Sequence, residues 1–149
     1  MSTVNFELVT ELQHLLRRDF TVANKDLVKP SNANPLMDGE FLNLDTAYKV
    51  VRAGTGEHGW ALFVEKGRFD VQAVGRVTIL FCGHYEADTR VFKSSGLTLG
   101  GQLQLDAACT VDTLTKTGLA NYSSGQVMGR VTKLPANNGN RLRFFQTWA

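Results

Sequence analysis

The chain is 149 residues long, the size of one ordinary domain, and needs no metal or disulfide staple to bury a sizeable core. Hydrophobic residues at 43% and charged residues at 20% exclude wholesale disorder. The longest strongly apolar stretch, Val77 to Cys82, falls far short of the roughly 20 residues of a membrane helix. Glu7, Glu11 and Asp19 break any leader-like apolar run, so no secretory signal is expected. The net charge of +2 is uneven: residues 1–74 hold eight Lys/Arg against ten Asp/Glu, residues 75–149 eight against four. No acid follows Asp112, while Lys116, Arg130, Lys133, Arg141 and Arg143 do. Such a basic face suits plain solvation, an acidic protein partner or a polyanion.

Residues 4–22 carry apolar side chains at helical spacing: Phe6, Val9, Leu12, Leu16 and Phe20, joined by Leu8 and Leu15. Acids at the start and Arg17 and Arg18 near the end suit a helix dipole. The direct reading is an amphipathic helix; the rival is an extended arm that orders against a partner. Residues 24–39 break the pattern with two prolines, three asparagines and a terminal Asp-Gly. The expected organisation is therefore an arm and linker at 1–38 and a β domain at 39–149.

From Glu40 onward, short strands alternate with turns. Phe41–Leu44 and Tyr48–Arg52 read as a hairpin, followed by a three-glycine loop and a strand from Trp60 to Val64. Val71–Cys82 holds the strongest strand core. Further strands are expected at Thr89–Phe92, Gln102–Leu105, Cys109–Leu114, Gln126–Leu134 and Arg141–Trp148, with Asn137-Asn138-Gly139-Asn140 as a hairpin turn between the last two. Strands at 8 to 12 residue spacing without alternating helices predict a mainly β fold, an antiparallel barrel or jelly-roll-like sandwich.

Chemistry-bearing motifs are sparse. On one extended strand, Cys82, His84, Glu86 and Asp88 would share a face and offer metal-ligand types. The plainer reading makes Cys82 core and leaves Glu86 and Asp88 solvated. His14, beside Glu11, reads as a surface pair, and His58 lies in the glycine loop. Gly96–Gly101 lacks the Gly-Lys-Ser/Thr ending of a phosphate loop. Cys82 and Cys109 form no CxxC pair and read as reduced, buried thiols, and their spacing leaves one disulfide open as the alternative. Phe144, Phe145 and Trp148 beside Arg141 and Arg143 have base-stacking composition, but their alternation is that of a half-buried final strand. No cofactor, metal or catalytic residue is expected.

The order of segments carries a resemblance. Gly39-Glu40-Phe41-Leu42-Asn43-Leu44-Asp45, Val74-Gly75-Arg76-Val77, Ser94 to Leu103, and Gly125-Gln126-Val127-Met128-Gly129-Arg130-Val131 follow one another before the terminal strand. This series, spanning about residues 39 to 148, resembles the small β-barrel or β-sandwich cement (decoration) proteins of tailed-phage capsids. The resemblance implies a non-enzymatic virion protein. It would bind the outer face of the major capsid protein as a dimer or trimer after assembly in the host cytoplasm. Another phage role, in the tail or head completion, is the alternative. A nucleic-acid-binding barrel is a further one, although neither nucleic acid nor membrane is the expected partner. On the cement reading the partner-binding residues are Phe6, Arg17, Arg18, Phe20, Arg141, Arg143 and Trp148.

Overall fold

A computed structural model describes residues 5–11, 15–29, 31–63, 75–82 and 84–146. Among the described residues eleven strands form in chain order: β1 (Phe6–Leu8), β2 (Leu16–Thr21), β3 (Phe41–Leu44), β4 (Val50–Arg52), β5 (Trp60–Ala61), β6 (Arg76–Cys82), β7 (Tyr85–Thr89), β8 (Gln102–Val111), β9 (Leu114–Asn121), β10 (Gly129–Lys133) and β11 (Leu142–Gln146). The fold is mainly antiparallel β, as the strand-and-turn pattern predicts. One sheet has six strands in the order β1-β7-β11-β10-β8-β9. The second layer is rolled. β2 pairs with β6, and β3 lies between β4 and β5. Two bridges, Leu62 to Ile79 and Val22 to Val50, then join β5 to β6 and β2 to β4. The five strands thus run β2-β6-β5-β3-β4 and return to β2, forming a small ring.

Alternation along these strands separates two cores. Val22, Leu42, Val50, Leu62, Val77 and Ile79 cluster with Leu36 and fill the ring. Their neighbours Phe41, Ala61 and Leu80 point the other way, onto Tyr85, Ala87, Leu103, Leu105, Leu119, Leu142 and Phe144 of the six-stranded sheet. Phe144 anchors this larger core, with ring centroids of Phe6, Phe41 and Tyr85 at 6.5, 6.2 and 5.9 Å. Burying a side chain of this size contributes about 1.5–3 kcal/mol.

The N-terminal helix expected at 4–22 is replaced by β1 and β2. Residues that share a face at helical spacing have different fates here. Phe6 is buried in the larger core and Phe20 packs on the ring core, while Val9 and Leu16 are 43% and 53% exposed. Cross-strand pairing of Phe6–Leu8 with Ala87–Thr89, and of Leu16–Thr21 with Arg76–Cys82, overrides the local period. Within the stretch expected as an arm and linker, β1 edges the large sheet and β2 closes the ring.

The crossing from β2 to β3 is pinned by a buried charge cluster. Glu40 is fully buried; its carboxylate accepts from Arg52 Nε at 2.5 Å, Met37 N at 3.0 Å and Thr117 N at 3.3 Å. Lys116 Nζ lies 4.0 Å from it and donates to the Pro35 carbonyl, and Arg52 Nη2 donates to the Asn34 carbonyl at 2.7 Å. Burial lowers the Lys116 pKa, opposed by Glu40 and reinforced by Arg52.

The hairpin signals at Phe41–Arg52 and at 137–140 are reproduced, whereas the strands between 102 and 121 differ. Strands expected separately at 102–105 and 109–114 are one strand, β8, irregular between Asp106 and Cys109. It turns into β9 through Asp112 and Thr113, both at positive φ (49° and 69°). Gly118 of β9 is required by close approach: a Cβ there would lie 2.1 Å from the Val91 carbonyl oxygen. That contact lets residues 91–93 pair alongside β9, Leu119 N donating to Val91 O and Lys93 N to Leu119 O.

Candidate functional site

The β5–β6 bridge at Leu62 and Ile79 sets Trp60 beside Phe81, two residues along each strand. Their rings stack at 5.4 Å and 26°. Phe20 of β2 lies 5.7 Å from Phe81, and His58 meets Trp60 edge-on at 5.0 Å. Phe20, Phe81 and Trp60 pack on the ring core and remain half-buried. Burial lowers the His58 pKa and so favours the neutral imidazole. Arg18, exposed on β2, holds its guanidinium 5.5 Å from the Phe20 ring centre and 5.8 Å from that of Phe81. Among the described residues it makes no ion pair. The result is an aromatic ledge at one mouth of the ring, with a cation lying across it. Such a surface offers cation–π attraction, apolar area and directed donors at once.

Arg18 and Phe20 are thus brought together as candidate partner residues. Arg17 sits beside them in chain but is half-buried opposite Leu80. Phe6 is a core residue, with Phe63 and Tyr85 rings at 6.4 and 6.3 Å, so it offers no exposed anchor. Trp148 and His14 lie outside the described residues. Trp60, Phe81 and His58 were not singled out as partner residues, since each reads as strand core or glycine loop until the bridge places them side by side.

Arg141 and Arg143 lie apart, on the outer face of the six-stranded sheet, and are engaged. Arg143 binds the buried Asp88 through both oxygens, Nε–Oδ1 2.9 Å and Nη2–Oδ2 3.1 Å. Asn138 Nδ2 donates to the same Oδ1 at 2.7 Å, and Arg141 lies 3.6 Å from Asp88 Oδ2 and 3.9 Å from Glu7. Burial opposes ionisation of Asp88, but these donors and charges outweigh it and lower its pKa. Asp88 is therefore buried and paired, in contrast to the solvated carboxylate its sequence context suggests.

The strand placing Cys82, His84, Glu86 and Asp88 on one face does not form, because Cys82 ends β6 and Tyr85 begins β7. His84 stacks on Phe145 at 6.1 Å. Among the described residues no His/Cys/Asp/Glu group is arranged to hold a metal. Cys109 is a buried free thiol whose pKa is pushed up to about 12, mainly by burial. No helix of the described residues is long and apolar enough to cross a membrane. No family model, curated protein or solved structure matches the chain.

Proposed function

We propose that the protein is a non-enzymatic structural component of a tailed-phage virion. In this reading it binds the outer surface of the major capsid protein as a homo-oligomer and stabilises contacts between capsid subunits. The segment order over residues 39 to 148 supports the capsid assignment. The observation that carries the docking role is Arg18 lying across Phe20 and Phe81, with Trp60 stacked behind. Arginine and large aromatics in a partly desolvated patch are the residue types that dominate protein–protein binding energy. The surrounding strands hold the patch rigid, so little ordering entropy is lost on contact. An oligomer repeating this patch would gain further by multivalency, each copy adding a seam contact.

The test is co-sedimentation of purified protein with empty, DNA-free capsids, alongside light scattering of the free protein. Saturation at a fixed ratio to capsid subunits supports the assignment; no binding by a clean monomer removes it. A second reading rests on the same ledge: stacked rings beside an arginine also suit single-stranded nucleic acid. Oligonucleotide binding that weakens steeply with salt, without capsid binding, would select that reading.

A further inference from the structure

A cleft of about 290 Å³ opens at the far end of the six-stranded sheet, lined by Arg90, Phe92, Ser94, Thr110, Val111, Asp112 and Asn140. Three segments meet there: the β8–β9 turn, the loop before β11 and the strip 90–94 that Gly118 admits alongside β9. Its charged groups neutralise one another. Arg90 Nη2 donates to Asp112 Oδ1 at 3.1 Å, and Arg90 Nη1 donates to Asn5 Oδ1 at 2.9 Å. The guanidinium is thus fixed in plane, and the cleft draws neither an anion nor a cation strongly.

What remains is one aromatic ring, two hydroxyls, an amide and a carboxylate whose second oxygen has no partner among the described residues. The backbone fixes their approach: Asp112 and Thr113 form the two-residue β8–β9 turn with the positive φ such a hairpin demands, and Asn140 also adopts positive φ.

The geometry points to a binding site for a neutral saccharide of about one pyranose ring. A sugar ring presents a C–H face that suits the part of Phe92 lining the cleft, the rest of that side chain packing on the larger core. Its hydroxyls both donate and accept, matching Asp112, Asn140, Ser94 and Thr110. The volume is at the small end of ligand clefts, which suits a single ring and weak, millimolar affinity. This inference does not depend on the virion reading.

The test titrates the isotope-labelled full chain with the methyl glycosides of glucose, galactose, mannose and N-acetylglucosamine, following amide shifts by NMR. The expected result is saturable shifts confined to residues 90–94, 110–113 and 140 with at least one sugar. Phe92→Ala weakens that binding about tenfold. Asp112→Gly suits the turn's positive φ, keeps the fold and abolishes the shifts. The inference is overturned if no sugar gives saturable shifts, if they fall elsewhere, if Asp112→Gly leaves them intact, or if inorganic sulfate binds the cleft more tightly than any sugar.

Discussion

Replacing Glu40 by alanine should be among the most damaging changes in this chain, and a second substitution should partly reverse it. The carboxylate serves two backbone donors, Met37 N and Thr117 N, and faces two cations. Its loss leaves Lys116, 1% exposed, as a buried ammonium without a counter-charge, whereas Arg52, 24% exposed, still reaches water and the Asn34 carbonyl. Removing one partner of a buried ion pair costs about 3–5 kcal/mol, and this already includes much of the penalty for the orphaned donors. Against a total stability of about 5–15 kcal/mol, Glu40→Ala approaches the limit of folding. With a urea slope of about 2 kcal/mol/M, the midpoint should fall by about 2 M. Adding Lys116→Met removes the stranded charge, so the double variant should recover about 1–2 kcal/mol relative to Glu40→Ala. Urea denaturation of wild type, both single variants and the double variant measures this. A loss below about 1 kcal/mol for Glu40→Ala, or a double variant as unstable as the summed singles, would refute the reasoning.

Other outcomes follow from the same packing. Gly118→Ala forces a methyl into the Val91 carbonyl and should cost about 3 kcal/mol, lowering Tm by about 10 °C; an unchanged Tm in a thermal melt would show that the strip 91–93 yields freely. Asp88 has a folded pKa below its unfolded value near 3.9, so its contribution is fully present above that value and is lost as pH falls through the lower, folded pKa. Asp88→Asn should flatten the acid limb of stability against pH between about pH 5 and 2, and an identical limb would contradict the pairing. Deleting residues 1–22 removes β1 and β2, opening the ring and stripping a sheet edge. Near-UV circular dichroism should then lose its native signal, and a folded remainder would show that these strands are dispensable.

Much of the architecture was legible where local chemistry and tertiary pairing agree. The Asn-Gly turn at 138–139 and the Phe41–Leu44 hairpin announce themselves through turn residues and alternation, and the structure pairs β10 with β11 and β3 with β4 accordingly. The turn at Asp112-Thr113 carries no glycine, so the strand expected at Cys109–Leu114 runs through it and β9 is not foreseen. The N-terminal segment misleads for a different reason. Its apolar residues fit a helix period, yet Phe6 and Phe20 go to different cores while Val9 and Leu16 stay exposed, and only the pairing with Ala87–Thr89 and Arg76–Cys82 reveals this. The ledge was half legible: Arg18 and Phe20 lie in one strand, but Trp60 and Phe81 join them through the bridge at Leu62 and Ile79. Asp88 was misplaced because burial of a carboxylate depends on arginines more than 50 residues away.

The most direct test of the docking account is the affinity of wild type and Arg18→Ala for empty capsids, measured by quantitative co-sedimentation. Arg18 is exposed and makes no ion pair among the described residues, so its removal should keep the fold and cost no more than an exposed cation–π contact is worth, about 0.5–1 kcal/mol. As a hot-spot cation over two rings it should account for about 2 kcal/mol of binding, a loss of affinity of about thirtyfold per site. Saturable wild-type binding with that loss is the result the account predicts. Capsid binding that Arg18→Ala leaves unaltered would contradict it.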